Sequence, residues 1–206
     1  LVVGNDETEF HARYAHGFNY PGVYAAFQSE SAWGAPNAWQ TLDAEKVNSF
    51  ELGVSHHFRP WLKASAVAFL NDGEDRIQFV APPPPPPTYQ NIGDFKTQGY
   101  EVSVELNPGE NWSAFAGATF LTEVEPSDLP YAPRTSFSGG LSYSFHERWE
   151  LNLDGQYVDS VDTANPRFPG GTGEVGSYWL ANGKVSYRFT PSDSPLDGKF
   201  YVALEN

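Results

Sequence analysis

The 206-residue chain contains no cysteine and no methionine. Without cysteine it can form no disulfide, no thiolate metal site and no cysteine nucleophile. Methionine is missing even at the first position, so the sequence is expected to begin partway through something longer or after processing, and it carries no signal peptide. Cations are scarce: 12 Lys and Arg stand against 26 Asp and Glu, a formal charge of −14. That balance argues against nucleic acid as a partner, because binding phosphates needs Lys and Arg. No apolar run reaches the roughly 18 residues of a transmembrane helix. A sustained 3.6-residue apolar stripe is also missing.

Aromatic residues, by contrast, make up 16% of the chain although its mean hydropathy is −0.46. A soluble domain this polar seldom carries that many rings. A membrane barrel does, because only alternate residues face lipid and aromatic girdles mark both interfaces. Residues 42–69 show the pattern most clearly. Phe50, Leu52, Val54, His56 and Phe58 fall on one parity, and Glu51, Gly53, Ser55 and His57 fall on the other. Residues two apart on a strand share a face, so this arm predicts a sheet with one greasy and one polar side. Arg59 and Pro60 close a tight turn flanked by Phe58 and Trp61.

The alternation recurs down the chain. Residues 1–9 read as an acidic lead-in without clear structure, and residues 10–18 as a first strand. Further strands are predicted at 100–106, 112–121, 136–145, 149–157, 179–189 and 200–206, about nine with the hairpin of 42–69. Residues 71–75 read as an acidic, turn-like break, followed by a short extension at 76–80. Six prolines at 82–87 cannot join a ladder, having no N–H. They read as a stiff extended spacer, with a ligand for SH3 or WW domains as the other reading.

Two regularities favour a barrel over a soluble sandwich. Short connections at 59–60, 107–111, 146–148 and 190–198 alternate with long ones near 19–41, 71–90, 122–131 and 159–176. Outer-membrane barrels pair short periplasmic turns with long outer loops in this way. An aromatic also stands at each short turn: Phe58, Trp61, Trp112, Phe145, Trp149, Phe189 and Phe200 would form one interfacial girdle. The fold expected is therefore all-β, the wall of an antiparallel up-and-down transmembrane barrel. Nine strands would leave two open edges, so the chain is expected to be one domain that forms part of a larger wall.

Several segments resemble the C-terminal part of the barrel of TonB-dependent outer-membrane receptors. They are Tyr14-Ala15-His16-Gly17-Phe18 with Pro21, then Leu42 to Gly53 around Glu45 and Glu51-Leu52-Gly53, with Ala44 where the family usually has proline. Phe69 through Ile77, Tyr89-Gln90-Asn91-Ile92-Gly93 with Gly99-Tyr100-Glu101, Pro130 to Arg134, and Leu204-Glu205-Asn206 complete the set. Together they cover residues 10–206 in order. The resemblance implies a barrel of about 22 strands around a plugged lumen. The plug, the TonB-docking box and the last closing strand are not among these segments. It also implies energised uptake of a scarce ligand, most simply a ferric siderophore, with cobalamin, haem or a sugar as other cargo. The implied partners are outer-membrane lipid, a small metal chelate, and the TonB complex through a part of the parent chain not present here. The implied location is the Gram-negative outer membrane with the loops extracellular.

Residue chemistry offers no enzyme. His56 and His57 are adjacent and point to opposite faces, so they do not share a metal. Residues 71–75 lack the twelve-residue calcium-loop pattern. Nucleophile, phosphate-loop and paired-carboxylate patterns are missing, and no cofactor is expected. Recognition is expected on the loops, because loops on a rigid scaffold carry it. Tyr20, Tyr24, Phe27, Trp33 and Trp39 could stack on a ligand, His16 and Tyr89 lie at strand ends, and Arg134 could meet an anionic chelate. The same loop aromatics could instead form an outer rim. The rival reading of the whole chain is an extracellular or assembled β-rich binding or structural module without transport.

Overall fold

The computed structural model describes residues 1–23, 38–80, 88–127, 129–164, 172–189 and 197–206. Ten strands form one antiparallel meander: β1 (Val2–Gly4), β2 (Thr8–Asn19), β3 (Glu45–Arg59), β4 (Leu62–Glu74), β7 (Phe95–Gly109), β8 (Trp112–Glu125), β9 (Thr135–Phe145), β10 (Trp149–Val158), β13 (Tyr178–Phe189) and β14 (Gly198–Leu204). Among the described residues two separate hairpins stand outside this sheet, β5 (Ile77–Val80) with β6 (Thr88–Asn91) and β11 (Val161–Ala164) with β12 (Thr172–Val175). A 3-10 segment, Ala38–Thr41, stands before β3.

Register turns the alternation of each strand into two continuous faces. Phe10, Val54, Ala66, Val102 and Ala118 form one cross-strand row through successive partners. One residue along, Glu9, Ser55, Ser65, Ser103 and Gly117 form the next row on the opposite face. A one-residue slip would exchange the faces of a strand, so the apolar pattern also fixes the pairing. The sheet is one layer with almost no core: among described hydrophobic residues only Val124 and Val158 are buried.

The structure lengthens several predicted elements. Val2–Gly4 pairs with β2, so the acidic lead-in begins with a strand. Residues 71–74 are not a break: β4 runs on through them opposite Ser49, Asn48, Val47 and Lys46. β7 continues through residues 107–109, and β8 extends to Glu125 after a bulge opposite Gln98 and Gly99. The extension at 76–80 is one arm of a hairpin, and the long connection at 159–176 contains another. Residues 71–74 and 107–109 are polar or Gly-rich, and ladder hydrogen bonds need backbone, not apolar side chains. The hexaproline and most of the last short connection lie outside the described residues.

The short turns gather along one rim and bond sideways to the next hairpin. Glu7 O accepts from His57 N at 2.8 Å, Trp61 O from Asn107 N at 2.8 Å, Asn111 O from Ser144 N at 2.6 Å, and Arg148 O from Arg188 N at 2.7 Å. Both extra hairpins stand at the other rim, between the long connections.

Candidate functional site

At the loop-side rim, residues from distant parts of the sequence meet. Glu45 opens β3, and its two carboxylate oxygens accept from Ile77 N at 2.7 Å and Asn19 Nδ2 at 2.8 Å. Asn91 closes β6. Its Nδ2 donates to Asp75 O at 2.6 Å and Asp43 O at 3.1 Å, while its Oδ1 accepts from Asp43 N at 2.9 Å. Arg76 N donates to Gly93 O at 3.1 Å. A side-chain amide can serve donor and acceptor groups at once, which an apolar residue cannot. This cluster clamps the β5–β6 hairpin and the segment entering β3 to the top of the wall. Farther along the rim, Tyr131 N donates to Asp162 O at 2.9 Å, tying the approach to β9 to the β11–β12 hairpin.

Below the cluster, the polar face is laced by cross-strand hydrogen bonds. Ser49 Oγ donates to Asn71 Oδ1 at 2.7 Å, and Asn71 Nδ2 to Thr97 Oγ1 at 3.2 Å, spanning three strands. Across β9, β10 and β14, Ser142 donates to Asn152, Asn152 to Glu150, and Lys199 to Glu150, each at 2.8 Å. Arg13 pairs with Glu51 at 3.3 Å. Side chains this polar are satisfied in a watery interior and would be costly in a dry core.

The candidate binding residues that are described come from separate elements of the rim. His16 lies on the apolar parity, and Asn48 Oδ1 lies 2.9 Å from its Nδ1 and also accepts from Tyr14 Oη at 2.9 Å. Tyr20 packs edge-on against Phe18, ring centroids 5.2 Å apart. Tyr89 sits in β6, half-buried, opposite Phe79. Arg134 precedes β9 with an exposed side chain, while its carbonyl accepts from Leu121 N at 2.9 Å. Tyr24, Phe27 and Trp33 lie outside the described residues, as does the side chain of Trp39. Sequence reading missed Arg76. Its guanidinium reaches Gln78 Oε1 at 3.1 Å, and its Nε is buried without a partner. Among the described cations at this rim, Lys46 and Lys96 are ion-paired with Asp75 and Glu123. Arg76 and Arg134 have no carboxylate partner among the described residues.

The apolar face carries two aromatic rows. Beside the short turns, Phe145 stacks on Trp149 with centroids 6.0 Å apart, Trp149 meets Tyr187 at 4.8 Å, and Phe189 stacks on Phe200 at 4.9 Å. Trp112 pairs in register with Tyr143, and Phe58 and Trp61 stand exposed beside the first turn. A second row, unforeseen from the sequence, runs along the loop side: Tyr14 with Phe50, then Phe120, Phe137, Tyr157 and Trp179 in successive contact. The rows are eight positions apart in Phe50/Phe58, Trp112/Phe120, Phe137/Phe145, Trp149/Tyr157 and Trp179/Tyr187. No described Asp, Glu, Lys or Arg lies between them on this face. Above the loop-side row, charge returns with Lys46, Asp72, Glu74, Lys96, Glu123 and Glu125. There the hydrogen-bonded Glu123 carboxylate raises the Lys96 ammonium above the usual lysine range.

Residues 3–206 match the family model described as "TonB dependent receptor-like, beta-barrel". The chain belongs to the TonB-dependent receptor β-barrel family. Among curated proteins, this TonB-receptor wall is 24% identical over 155 residues to the catecholate siderophore receptor Fiu of Escherichia coli K12. That match covers 70% of the chain and 20% of Fiu, so the chain spans about a fifth of the length of that relative. The crystal structure of Fiu superposes with a TM-score of 0.64 at 21% identity, over 90% of this chain and 27% of that one. The ferric enterobactin receptor PfeA of Pseudomonas aeruginosa, solved with enterobactin, gives 0.68 at 13% identity over 90% of the chain and 32% of its own. The ferripyoverdine receptor of the Pseudomonas aeruginosa outer membrane gives 0.61 at 18% identity, over 90% and 26%. The ten-stranded sheet is thus part of a TonB-receptor barrel wall, an antiparallel up-and-down fold.

Proposed function

We propose that the protein carrying this wall is an outer-membrane receptor for energised uptake of a metal chelate, most simply a ferric siderophore. The observation that carries the reading is a TonB-receptor barrel wall whose apolar face lies between two aromatic rows while its opposite face is hydrogen-bonded and polar. Eight residues of antiparallel strand rise about 27 Å, and a tilt of about 40° leaves about 21 Å along the membrane normal, near the roughly 25 Å apolar band of such barrels. The similarity to Fiu and to receptors solved with siderophores supports the cargo class. The long loops face outward, and the short-turn residues Phe58, Trp61, Trp112, Phe145, Trp149, Phe189 and Phe200 form the inner girdle. TonB engages a part of the parent protein outside this chain.

Within this reading the loops capture the chelate. Tyr20 and Tyr89 offer rings, His16 stands behind the first strand end, and Arg76 and Arg134 supply the positive charge that an anionic chelate needs in an otherwise acidic protein. Tyr24, Trp33 and Trp39 add further rings from the longest loop. The test uses the full-length protein in an iron-limited cell lacking its other siderophore receptors. Wild type should take up radiolabelled iron from a ferric catecholate. Arg76→Ala with Arg134→Ala should weaken chelate binding by about tenfold or more, from loss of charge-assisted hydrogen bonds. Failure of wild type to bind or import any ferric chelate would overturn the proposal.

A further inference from the structure

At the short-turn rim, one cation reaches toward the apolar face. Arg148 ends the turn between β9 and β10, and its backbone is held on both sides. Its N donates to His146 O at 2.6 Å, and its O accepts from Arg188 N at 2.7 Å. Its side chain donates from Nη1 to Tyr187 Oη at 3.4 Å. Tyr187 stands between Trp149 and Phe200 in register, within the inner aromatic row, so the guanidinium lies on the membrane side of the wall.

A guanidinium carries five N–H donors, and a phenol can donate while it accepts. Among the described residues Tyr187 is the only side chain that bonds Arg148, and no carboxylate pairs with it, Glu147 of the same turn included. The Tyr187 hydroxyl proton likewise has no acceptor among the described residues. Other cations at this rim are placed differently. Arg188 and Lys199 are cross-strand partners on the opposite, polar face, where Lys199 bonds Glu150 at 2.8 Å. Arg59 turns its Nη1 back onto Phe58 O at 2.8 Å.

We propose that Arg148 and Tyr187 hold the phosphate of one inner-leaflet glycerophospholipid, whose acyl chains lie on the apolar face beside them. Three observations converge on that occupant. The free donors suit a phosphate, since the planar guanidinium fork matches paired phosphate oxygens and the phenol adds a further hydrogen bond. Their depth is that of the inner aromatic row, where headgroups lie. The short turns face inward, and the inner leaflet of an outer membrane is built of glycerophospholipid. Finally, toward mid-membrane from Tyr187 the face continues with Leu151, Val185 and Val202 in register, an uncharged surface on which Val185 and Val202 are exposed. Acyl chains gain from covering that surface, whereas a free phosphate ion gains nothing from it.

The proposal rests on the reading of the apolar face as membrane-facing with the short turns inward, and the experiment separates the two. The full-length protein is purified in detergent micelles doped sparsely with phosphatidylethanolamine, and retained lipid is counted by native mass spectrometry. Wild type should retain one phosphatidylethanolamine, but not a diacylglycerol with the same chains and no phosphate. Arg148→Gln should lower retention about tenfold, from loss of charge-assisted hydrogen bonds. Tyr187→Phe keeps the ring against Trp149 but removes the hydroxyl, and should lower retention about threefold, part of one net hydrogen bond. Arg188→Gln removes the same charge from the polar face of the next strand and should retain the lipid as wild type does. If Arg148→Gln does not fold, the comparison of Tyr187→Phe with wild type decides. Equal retention in wild type, Arg148→Gln and Tyr187→Phe, equal loss in Arg188→Gln, or equal retention of diacylglycerol would overturn the site while leaving the membrane face intact. So would displacement of the lipid by millimolar inorganic phosphate, which would mark a site for a free anion. A full-length protein that stays monodisperse without detergent would overturn the membrane reading and the site together.

Discussion

Gly53 has no side chain where His11 needs the room. A Cβ built on Gly53 would run into the imidazole of His11, its direct cross-strand partner. The arrangement repeats on the same polar face: the ring of Phe95 covers Gly73, that of Phe115 covers Gly140, and that of Phe69 reaches Gly99, each from the paired position. A ring laid over a glycine shields strand backbone that would otherwise be bare, and so offsets the weakness of glycine in a strand. Overpacking such a site costs roughly 1–3 kcal/mol. Gly53→Ala should therefore destabilise the full-length protein by about that amount, measured by urea unfolding in micelles. In the His11→Ala background the same change should cost far less, because the ring it strikes is gone. Costs that simply add would show that Gly53 and His11 do not share this space.

At the scale of a strand, parity decides what each position tolerates. Leu153 and Gln156 sit on the same strand, β10, but on opposite faces. Leu153 lies midway between Trp149 and Tyr157, so Leu153→Arg should cost about 2–4 kcal/mol, the penalty for a cation at the middle of a barrel's lipid face. Gln156→Arg, on the polar face, should stay within about 0.5 kcal/mol. Equal penalties would sink the assignment of the faces. This two-residue period is what made the strands legible in the sequence, because burial against lipid on one side and water on the other writes it directly into β3, β9 and β10. It is also why other segments were hidden. Val2–Gly4 is too short to show a period, and residues 71–74 lie above the apolar band, where the ladder continues without greasy side chains. The loop-base cluster was legible only as scattered segments. Glu45, Ile77 and Asn91 belong to three separate stretches of sequence that resemble the family, and only their hydrogen bonds show why each residue type is needed. Arg76 gave no signal, since its distinction is that no carboxylate among the described residues reaches it. The second aromatic row escaped notice because its rings adjoin the long connections rather than the short turns, and only register aligns Tyr157 with Phe137 and Trp179.

For the molecule as a whole, the separation of the two rows sets the membrane it fits. Five strands repeat the same eight-residue interval, so the apolar band has one height across the wall rather than a ragged edge. A height of about 21–25 Å is less than the roughly 30 Å hydrocarbon core of an average bilayer, and outer membranes are thinner than average. Matching is enforced from both sides. On the loop side the charged collar of Asp72, Glu74, Lys96 and Glu125 begins within a turn's reach of the upper row, and on the other side the short turns follow directly after the lower row. Neither boundary can enter hydrocarbon without burying charge or unpaired backbone. Stability of the full-length protein should therefore peak in phosphatidylcholine bilayers of about 21–25 Å hydrocarbon thickness and fall by fractions of a kcal/mol per Å in thicker ones. Urea unfolding across a series of acyl-chain lengths measures this. A stability that rises steadily toward 30 Å, or that ignores thickness, would mean that the two aromatic rows do not mark the two interfaces.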